Sequence, residues 1–550
     1  MRSVLHMAIA LGATLAATPA AAQNQPEADR SDPAVLEREN DQRERDRPSQ
    51  PRMRIEARNR ASTAAISSEI VAGAIRVEGA TRVPTAAFAG AIEPYLGRSL
   101  NQEDLSRLAT AIAGVARRAG FGLATAWVPA QALTAGVLVV RVDEGRIDAV
   151  RAGGPGADQV EQRLAGIADG RPVRTAELER QLMLAGDGAG LWVGEARLIR
   201  ENGRNILAVQ TRYDRAQGRV TIDNWGSDTV GPVRAWAELD VRGVALRGDE
   251  LSLGAATTPF EPGTFQLVEA HYRLPVGGRG TTLAVGGYYG HSDVEPEGTR
   301  AGFTGDSWEI EIEANHPLLR SRARSLWLTG RFELRDSELV RGNVPVRDDR
   351  IATATASFYG YNRFAGGRLR GRLSLVQGVD LFNATRAGDP LASRRDASGV
   401  FTKVEGWAEY WHGLGGGFST QIAARGQFAD GPLLSSEEMG LGGPEFLRAF
   451  DYREQSGDEG VAGSIELRFD LKDLGRTVQT VQFYGYADAG HVSNLGPNGR
   501  SGSLASAGGG VRVKLDGGWE AGFELGVPLT DGDNDWNPEP RFSFSLRARF

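Results

Sequence analysis

The sequence predicts a membrane β-barrel of about 16 antiparallel strands, preceded by two small α+β domains and an N-terminal helix. Three features support this: an apolar leader at the N-terminus, period-2 alternation from residue 216 onward, and an alternating strand at the C-terminus. Glycine accounts for 72 of the 550 residues, and mean hydropathy is -0.31. A low mean hydropathy is typical of a chain whose strands face lipid on one side and water on the other.

Residues 1–22 are expected to be an export signal. Arg2 supplies the positive charge, Val4 to Ala17 form the apolar stretch, and Ala20-Ala21-Ala22 form a small-residue cleavage site. The apolar stretch is too short to span a bilayer. No later segment has enough consecutive apolar residues, so no membrane helix is expected downstream.

Residues 23–70 are expected to form a polar helix and linker. The helix covers 33–47, with Asp32 as the candidate N-cap, Pro33 in the first turn and Pro48 as its stop. It has almost no apolar stripe. A disordered charged tail and a helix inside a water-lined pore both fit this composition.

Residues 71–146 and 147–214 each read as a small α+β domain of a size that holds one modest core. In the first domain, Asn101 is expected to cap a helix and to form a capping box with Asp104. In the second, Thr175 is expected to cap the main helix.

Residues 216–550 are expected to form the barrel. Acidic residues alternate with apolar ones, for example at Glu309 and Glu311, and such a polar face suits a wet lumen better than a dry core. Counting strands backward from Phe550 assigns the segment 430–460 to a loop at the rim opposite the C-terminus.

The last strand alternates Phe542, Phe544, Leu546, Ala548 and Phe550 with polar residues. It resembles the recognition signal of bacterial outer-membrane barrels, with Phe550 as the barrel-targeting terminus. That resemblance implies the barrel-assembly machinery as an insertion partner and outer-membrane lipid as the surroundings. A half-buried strand of a soluble sandwich would show the same periodicity.

Composition argues against several functional classes. The chain has no cysteine and therefore no disulfide framework. Its net charge of -7 argues against a nucleic-acid partner. None of its lysines lies in a Gly-Lys-Ser/Thr context, so it lacks a phosphate-binding loop. The histidines show no metal-ligand spacing, and no catalytic residue or cofactor is expected. Gly305-Asp306-Ser307 is similar to the nucleophile block of a hydrolase, but no histidine follows in the arrangement that a barrel phospholipase needs for a Ser/His pair.

Two segments contain the candidate functional residues. Gly440 to Phe450 is a glycine-rich loop containing Arg448, and Tyr486 to Gly490 is a strand whose inward face carries Asp488. The glycines permit a bend back into the lumen. Arg448 and Asp488 are then expected to form a buried ion pair, because either charge buried alone would be costly. The candidate loop-lock residues are Arg448, Asp488, Leu447, Phe450, Gly442, Gly443 and Gly490.

This pairing resembles the signature of the two-partner secretion transporters of the haemolysin and filamentous-haemagglutinin secretion-activation type. In that family a V-R-G-[YF] loop motif meets an F-x-D-x-G strand motif. The chain departs from this pattern at Leu447, Ala449 and Tyr486, and it keeps the arginine, the aromatic, the acid and the last glycine. Segments such as Glu93-Pro-Tyr-Leu-Gly97 and Asp143-Glu-Gly-Arg146 resemble the polypeptide-transport-associated (POTRA) domains of the same family.

The resemblance covers nearly the whole mature chain. It implies an outer-membrane barrel with two periplasmic POTRA domains and an N-terminal plug helix. The implied partner is an unfolded exoprotein, adhesin-like or haemolysin-like, with an N-terminal secretion domain. Strands at Val137–Val142 and Ile206–Val209 are expected to offer it free edges. A barrel-assembly or autotransporter-assembly factor is the alternative within the superfamily, and a passive porin would leave residues 71–214 unexplained.

Overall fold

In a computed structural model, the chain is described at residues 32–34, 55–57, 63–66, 68–132, 135–227, 229–294, 302–472, 474–496, 499–532 and 539–550. The expected export signal, 1–22, and the expected helix beyond Ala34 lie outside these ranges. Within them, no helix has both the length and the apolar character needed to cross a membrane.

The N-terminal part of the described chain contains short strands and helices that build two α+β domains. Their bounds are β1 Ile55–Ala57, β2 Ile70–Val71, β3 Ala74–Glu78, α1 Ala89–Ile92, β4 Ser99–Leu100, α2 Gln102–Arg118, β5 Thr125–Trp127, β6 Val137–Asp143, β7 Ala149–Gly153, α3 Ala157–Leu164, α4 Thr175–Gly186, β8 Leu191–Glu201 and β9 Arg204–Tyr213. One-turn 3-10 helices cover Thr85–Phe88, Glu93–Tyr95 and Ala165–Ile167.

The first domain packs α2 on a sheet of order β3-β6-β5. The predicted capping box is confirmed, since Asn101 accepts the amide of Asp104 at 2.9 Å and Asp104 accepts the amide of Asn101 at 3.1 Å. Glu144 is buried and accepts the amides of Thr81 and Val83 at 2.9 and 2.7 Å. Burial alone would raise the pKa of Glu144, but these hydrogen bonds outweigh it and lower that pKa.

The second domain has a sheet of order β1-β8-β9-β7, in which the linker strand β1 pairs in parallel with β8. The expectation that Thr175 caps α4 is wrong. Thr175 is the first helical residue, and its hydroxyl accepts the amide of Gly122 at 2.8 Å and donates to the carbonyl of Gly120 at 3.2 Å. The hydroxyl therefore ties the second domain to the first instead of closing its own helix.

The expectation of free strand edges at Val137–Val142 and Ile206–Val209 is also wrong. β6 lies between β3 and β5, and β9 lies between β8 and β7. Ile206–Val209 is paired with β8 on one side and with β7 on the other. β5 reaches only Arg141–Asp143 of β6, and beside it the Gln131 side chain bonds both the amide and the carbonyl of Val139. The terminal strands of the two described sheets are β3 and β5 in the first and β1 and β7 in the second.

The remaining strands follow Ala216. Their bounds are β10 Ala216–Asp223, β11 Arg234–Arg242, β12 Glu250–Thr257, β13 Phe265–Val276, β14 Thr281–Val294, β15 Phe303–Arg320, β16 Arg324–Arg341, β17 Val344–Phe364, β18 Gly367–Gly378, β19 Thr402–Gly415, β20 Phe418–Ala429, β21 Met439–Leu441, β22 Gln455–Gly457, β23 Glu459–Lys472, β24 Val478–Ser493, β25 Ser501–Leu515, β26 Trp519–Pro528 and β27 Arg541–Arg549. All except β21 and β22 form one closed antiparallel barrel, which confirms the predicted strand number.

The two ends of the barrel meet where β10 pairs with β27. The terminal residue Phe550 takes part in this closure: its carbonyl accepts the amide of Gly218 at 2.8 Å, and its amide donates to the carbonyl of Gly218 at 3.1 Å. A side chain at Gly218 would collide with the Phe550 ring, because its Cβ would lie 2.3 Å from a ring carbon. The last aromatic ring thus packs on Gly218, and a side chain at this position would have to displace the ring.

The barrel has a near rim, where the chain enters from the second domain at Ala216, and a far rim opposite it. β27 runs back to the near rim. The segment 430–458 connects β20 to β23 at the far rim, as the strand count predicted, and β21 and β22 pair with each other inside it. We call this segment the returning loop, because its middle part contacts the inner wall of the barrel.

Candidate functional site

The tip of the returning loop is held by one arginine among three carboxylates of the barrel wall. Arg448 donates from Nε to Asp488 on β24 at 3.1 Å. Its Nη1 donates to Glu466 on β23 at 2.9 Å and to Glu524 on β26 at 3.3 Å. All four side chains are buried, and Asp488 has no exposed side-chain area, at 0%. We call this group the tip anchor.

The structure therefore brings Arg448 and Asp488 together, and it adds an aromatic face. The guanidinium carbon of Arg448 lies 3.3 Å from the centre of the Tyr486 ring. Arginine stacks favourably on aromatic rings, so an aromatic residue at this strand position supports the ion pair. Asp488 also accepts hydrogen bonds from the amide of Leu447 at 3.1 Å and from the hydroxyl of Ser506 at 2.7 Å.

The backbone beside Arg448 has the sharp bends that the glycines predict. Gly442 and Gly443 have φ of 105° and 107°, in the region that favours glycine. A Cβ on Gly442 would lie 2.0 Å from the carbonyl oxygen of Asp451. Leu447 adopts φ of 61° without being glycine, and its side chain is fully buried. Its burial offsets the strain of that conformation.

An apolar cluster seats the loop tip on β23 to β25. It contains two of the sequence-predicted residues, Leu447 and Phe450, packed with Met439, Leu441, Ala462, Val492 and Leu504. Gly490 lies at the contact, since a Cβ there would come within 2.8 Å of Leu441 and 3.1 Å of Leu447. The predicted glycine of the strand motif therefore allows the loop to approach the wall closely.

A second anchor lies nearer to the start of the returning loop. Glu437, 1% exposed, accepts from Arg335 on β16 at 3.1 Å and faces the ammonium of Lys403 on β19 at 3.0 Å. Lys403 also donates to the carbonyl of Glu437 at 3.0 Å. We call this group the root anchor. Its charge pattern is the inverse of the tip anchor, with one carboxylate between two cations.

Other loops of the far rim strengthen the root. Arg394, between β18 and β19, donates to Glu438 at 2.8 Å and to Asp458 at 2.7 Å. Asp458 is fully buried and accepts the amides of Leu433 and Leu495, both at 2.7 Å. Both ends of the returning loop are thus tied to its neighbours at the far rim.

The described start of the N-terminal segment also lies inside the barrel. Asp32 accepts the amide of Ala34 at 2.9 Å, as the predicted N-cap should. Its other carboxylate oxygen accepts from Ser337 at 2.7 Å and from Arg347 at 3.4 Å. Ser337 is two residues beyond Arg335 on the same luminal face of β16, so the N-terminal segment and the root anchor occupy adjacent positions.

Three glutamates of β15 and β16 also come together: Glu309, Glu311 and Glu333 can place one oxygen each within 4.8 Å of the others. Arginines supply the countercharge, since Arg335 donates to Glu309 at 3.0 Å and Arg331 lies 3.4 Å from Glu311 and 3.0 Å from Glu333. The arrangement is an ion-pair network of the lumen wall.

Sequence reasoning missed the root anchor and two of the tip carboxylates. Glu466 and Glu524 lie on strands whose alternation correctly indicated a polar inner face, but alternation does not say which polar residue meets the loop. Glu437 lies within the loop segment without a recognisable motif. Its partner Arg335 is distant in sequence and belongs to a luminal row of β16.

Comparison with known proteins gives consistent results. The family model of the haemolysin secretion/activation protein ShlB/FhaC/HecB matches residues 203–513, and that of the ShlB-type POTRA domain matches residues 72–145. The chain is 24% identical over 486 residues to the heme/hemopexin transporter protein HuxB of Haemophilus influenzae strain 86-028NP, covering 85% of each chain. The HuxB sequence of another strain of this species, KW20, is 24% identical over 481 residues, and the match covers 84% of each chain.

Solved structures share the fold. CdiB from Escherichia coli superposes with a TM-score of 0.73 at 21% identity, covering 96% of this chain and 99% of that one. CdiB from Acinetobacter baumannii superposes with a TM-score of 0.65 at 17% identity, with coverage of 96% and 100%. BamA from Haemophilus ducreyi, lacking POTRA domains 1-3, gives 0.51 at 13% identity, with coverage of 88% and 100%.

Proposed function

The chain belongs to the ShlB/FhaC/HecB family of haemolysin secretion/activation proteins, and from this premise we propose how it moves its partner. As a member of that family it is an outer-membrane transporter that secretes a partner exoprotein. In our proposal the POTRA domains, residues 71–146 and 147–214, lie in the periplasm and bind the unfolded exoprotein. The exoprotein then passes through the lumen of the barrel, residues 216–550, to the cell surface.

The observation that carries this proposal is the burial of the loop tip in the lumen. Arg448 contacts three carboxylates from three different strands. One side chain therefore fixes the loop against three of the sixteen barrel strands and limits the space that remains for a passing chain. A passive porin would need neither this anchor nor the two POTRA domains, and an assembly factor fits the family match less well.

Capture of the exoprotein is proposed at the terminal strands of the POTRA sheets. β3, β5 and β7 pair on one side within the described sheets, so each offers backbone groups to an extended chain. Such β-augmentation tolerates many side chains. Binding of the exoprotein in the periplasm and its folding outside the cell make secretion proceed in one direction. We propose that the chain has no enzymatic activity. The expected partner is adhesin-like or haemolysin-like and carries an N-terminal secretion domain.

Titration calorimetry tests the capture step. The fragment 71–214 is expected to bind the unfolded N-terminal region of the exoprotein with a Kd of about 1 μM, or roughly -8 kcal/mol. Ala126→Pro in β5 serves as the matched variant, because proline removes a backbone donor from an edge strand. Absence of binding by a folded fragment would contradict capture by these domains.

A further inference from the structure

The barrel is closed by its seam, the pairing of β10 with β27, and the seam is its shortest strand pairing. Five residue pairs are in register across it, from Arg219 opposite Arg549 to Asp223 opposite Ser545. Every other pair of adjacent barrel strands has at least eight. Like charges at directly opposed positions, such as the two arginines, destabilise a strand pair. Backbone pairing therefore holds the two ends of the barrel together less firmly than it holds other neighbouring strands.

A side chain continues the seam beyond the end of β10, at the far rim. Asn224 follows the last residue of β10. Its side-chain amide donates to the carbonyl of Phe542 at 2.8 Å and accepts from the amide of Phe544 at 2.7 Å. Its backbone amide donates to the carbonyl of Phe544 at 3.3 Å. The far-rim end of the seam thus depends on a side chain as well as on the backbone.

One arginine joins this end of the seam to the returning loop. Arg541 is the first residue of β27. Its Nη1 donates to the carbonyl of Phe450 at 2.9 Å and to the carboxylate of Asp451 at 3.2 Å. Its Nη2 donates to the carbonyls of Asn224 and Gly226, both at 3.4 Å. We call these five residues the seam clasp, because a single guanidinium contacts the loop and the continuation of β10 from a position on β27.

The returning loop contacts the barrel wall on both sides of the seam. On the side of the last strands, Arg448 and Phe450 contact β23 to β26 through the tip anchor and the apolar cluster. On the side of the first strands, Tyr452 is 4% exposed. It packs in a cluster with residues of β12 to β14 and of the loop after β10, namely Val230, Ala256, Phe265, Leu267, Tyr288 and Val294. Since β27 and β10 lie between these two sets of strands, the loop spans the seam from inside.

These contacts couple the loop to the seam. If β27 separated from β10 at the far rim, Arg541 would have to leave its acceptors on the loop or those beyond β10. Hydrogen bonds from a charged donor are stronger than those between neutral groups, and the side chains of Arg541 and Asp451 are only 16% and 10% exposed. By thermodynamic linkage, a docked loop favours the closed seam as much as the closed seam favours the docked loop.

We propose that the returning loop is an internal strap that holds the barrel seam closed at the far rim, and that Arg541 is the positioning residue that connects the two. The loop then has a second role besides limiting the space in the lumen. This inference goes beyond the proposed function, because it concerns the closure of the barrel wall and involves neither the exoprotein nor the POTRA domains.

Hydrogen exchange measured by mass spectrometry tests the proposal on the full-length protein in detergent micelles. Arg541→Gln removes the charge and the forked donor group. We expect peptides that cover 216–224 and 541–550 to exchange about tenfold faster, because exchange reports local opening, while peptides of β16 to β18 do not change. Arg370→Gln is the matched control. Arg370 is a luminal arginine that donates to Glu409 at 3.0 Å, far from the seam, so seam exchange should not change.

Two outcomes of this experiment would overturn the proposal. One is unchanged exchange at the seam in a folded Arg541→Gln protein, and the other is an equal acceleration in all barrel strands, which would mean a general loss of stability. If Arg541→Gln does not fold, Asp451→Asn removes the charge on the loop side alone. It should accelerate exchange in the same two seam peptides, and unchanged exchange there would count equally against the strap.

A combined variant tests whether Arg541 acts through the loop. Arg448→Ala frees the loop from the last strands and should by itself accelerate seam exchange. Adding Arg541→Gln should then increase the rate by less than about twofold more, because residues that act in one unit are not additive. If the two accelerations multiplied, Arg541 would act on the seam independently of the loop, and the strap would be refuted.

A disulfide across the seam tests whether seam opening is the event that the strap prevents. Thr221 and Arg547 are directly opposed. Gly218 and Phe550 exchange both backbone hydrogen bonds, so the opposed pair three residues further along is a non-hydrogen-bonded one, whose Cα separation of about 4.5 Å allows a disulfide. Thr221→Cys with Arg547→Cys should restore slow seam exchange to Arg541→Gln when oxidised, and reduction should abolish the effect. Fast exchange despite a formed disulfide would contradict the proposal.

Discussion

The tip anchor and the root anchor hold the same loop with opposite arrangements of charge. At the tip, Arg448 stands among three carboxylates, whereas at the root Glu437 stands between two cations. The surroundings differ as well. The root cations have further partners, since Arg335 donates to Glu309 at 3.0 Å and Lys403 lies 3.4 Å from Glu405.

This difference makes the two anchors unequal. Loss of Arg448 leaves Asp488 with only the neutral donors Leu447 and Ser506 among its described hydrogen bonds. Loss of the Glu437 charge leaves each root cation beside another carboxylate. An unpaired buried charge is far more costly than a redistributed one. The tip should therefore depend on one residue, and the root should tolerate substitution.

The largest effect is expected from Arg448→Ala. Breaking a buried ion pair costs about 3–5 kcal/mol when it is fully desolvated, and less in a wet lumen. Secretion of the exoprotein should fall at least about tenfold, since 1.4 kcal/mol corresponds to a factor of ten, while the barrel still reaches the membrane. The measurement is exoprotein in the medium, normalised to surface-exposed barrel. Arg386→Ala, at an exposed arginine of a far-rim loop, is the matched control. Normal secretion by the Arg448 variant would contradict the anchoring role.

A covalent tether should distinguish holding the loop from other roles of the arginine. The chain has no cysteine, and a Cβ built on Gly526 would lie 3.1 Å from the Cβ of Ala449 and 2.7 Å from the Tyr486 hydroxyl. The Cβ atoms of a disulfide lie about 3.5–4.5 Å apart, so the bridge requires the loop to shift slightly away from the wall. Adding Ala449→Cys and Gly526→Cys to Arg448→Ala should restore most of the secretion under oxidising conditions and lose it again on reduction. No rescue by a disulfide that has formed would show that Arg448 does more than hold the loop.

A smaller effect is expected at the root. Glu437→Gln keeps the shape of the side chain and removes its charge, so secretion should fall by less than about threefold, which corresponds to roughly 0.7 kcal/mol. The same secretion assay measures it beside the Arg448 variant. If Glu437→Gln lowered secretion as much as Arg448→Ala does, the expectation that the root anchor tolerates substitution better than the tip anchor would be wrong.

The smallest effect on secretion is expected from the N-terminal segment beside the root. Deleting residues 24–60 removes the contacts of Asp32 with Ser337 and Arg347. We expect the barrel to stay intact and its single-channel conductance in planar bilayers to rise. The reason is that Asp32 already lies inside the lumen. Asp32→Ala should raise the frequency of open events more than their size. Unchanged conductance after the deletion would show that this segment does not plug the pore.

Much of the architecture could be predicted from the sequence because it depends on local pattern. Period-2 alternation indicated the barrel, and strand parity assigned the loop of Arg448 to the far rim. The capping residues Asn101 and Asp104 were recognisable because a cap is made within a few residues. The expectations for β6 and β9 failed because an apolar strand can be central or terminal, and only its neighbours decide which.

The sequence by itself determined which faces of the strands are polar and which residues of the returning loop form its motif. Its chemistry also specified one ion pair, because Arg448 and Asp488 each need a partner once buried. Only the tertiary structure decided that Glu466 and Glu524 join that pair and that Glu437 meets Arg335 and Lys403. These contacts join strands far apart in the chain, and their selection depends on barrel closure and stagger, which no local pattern encodes.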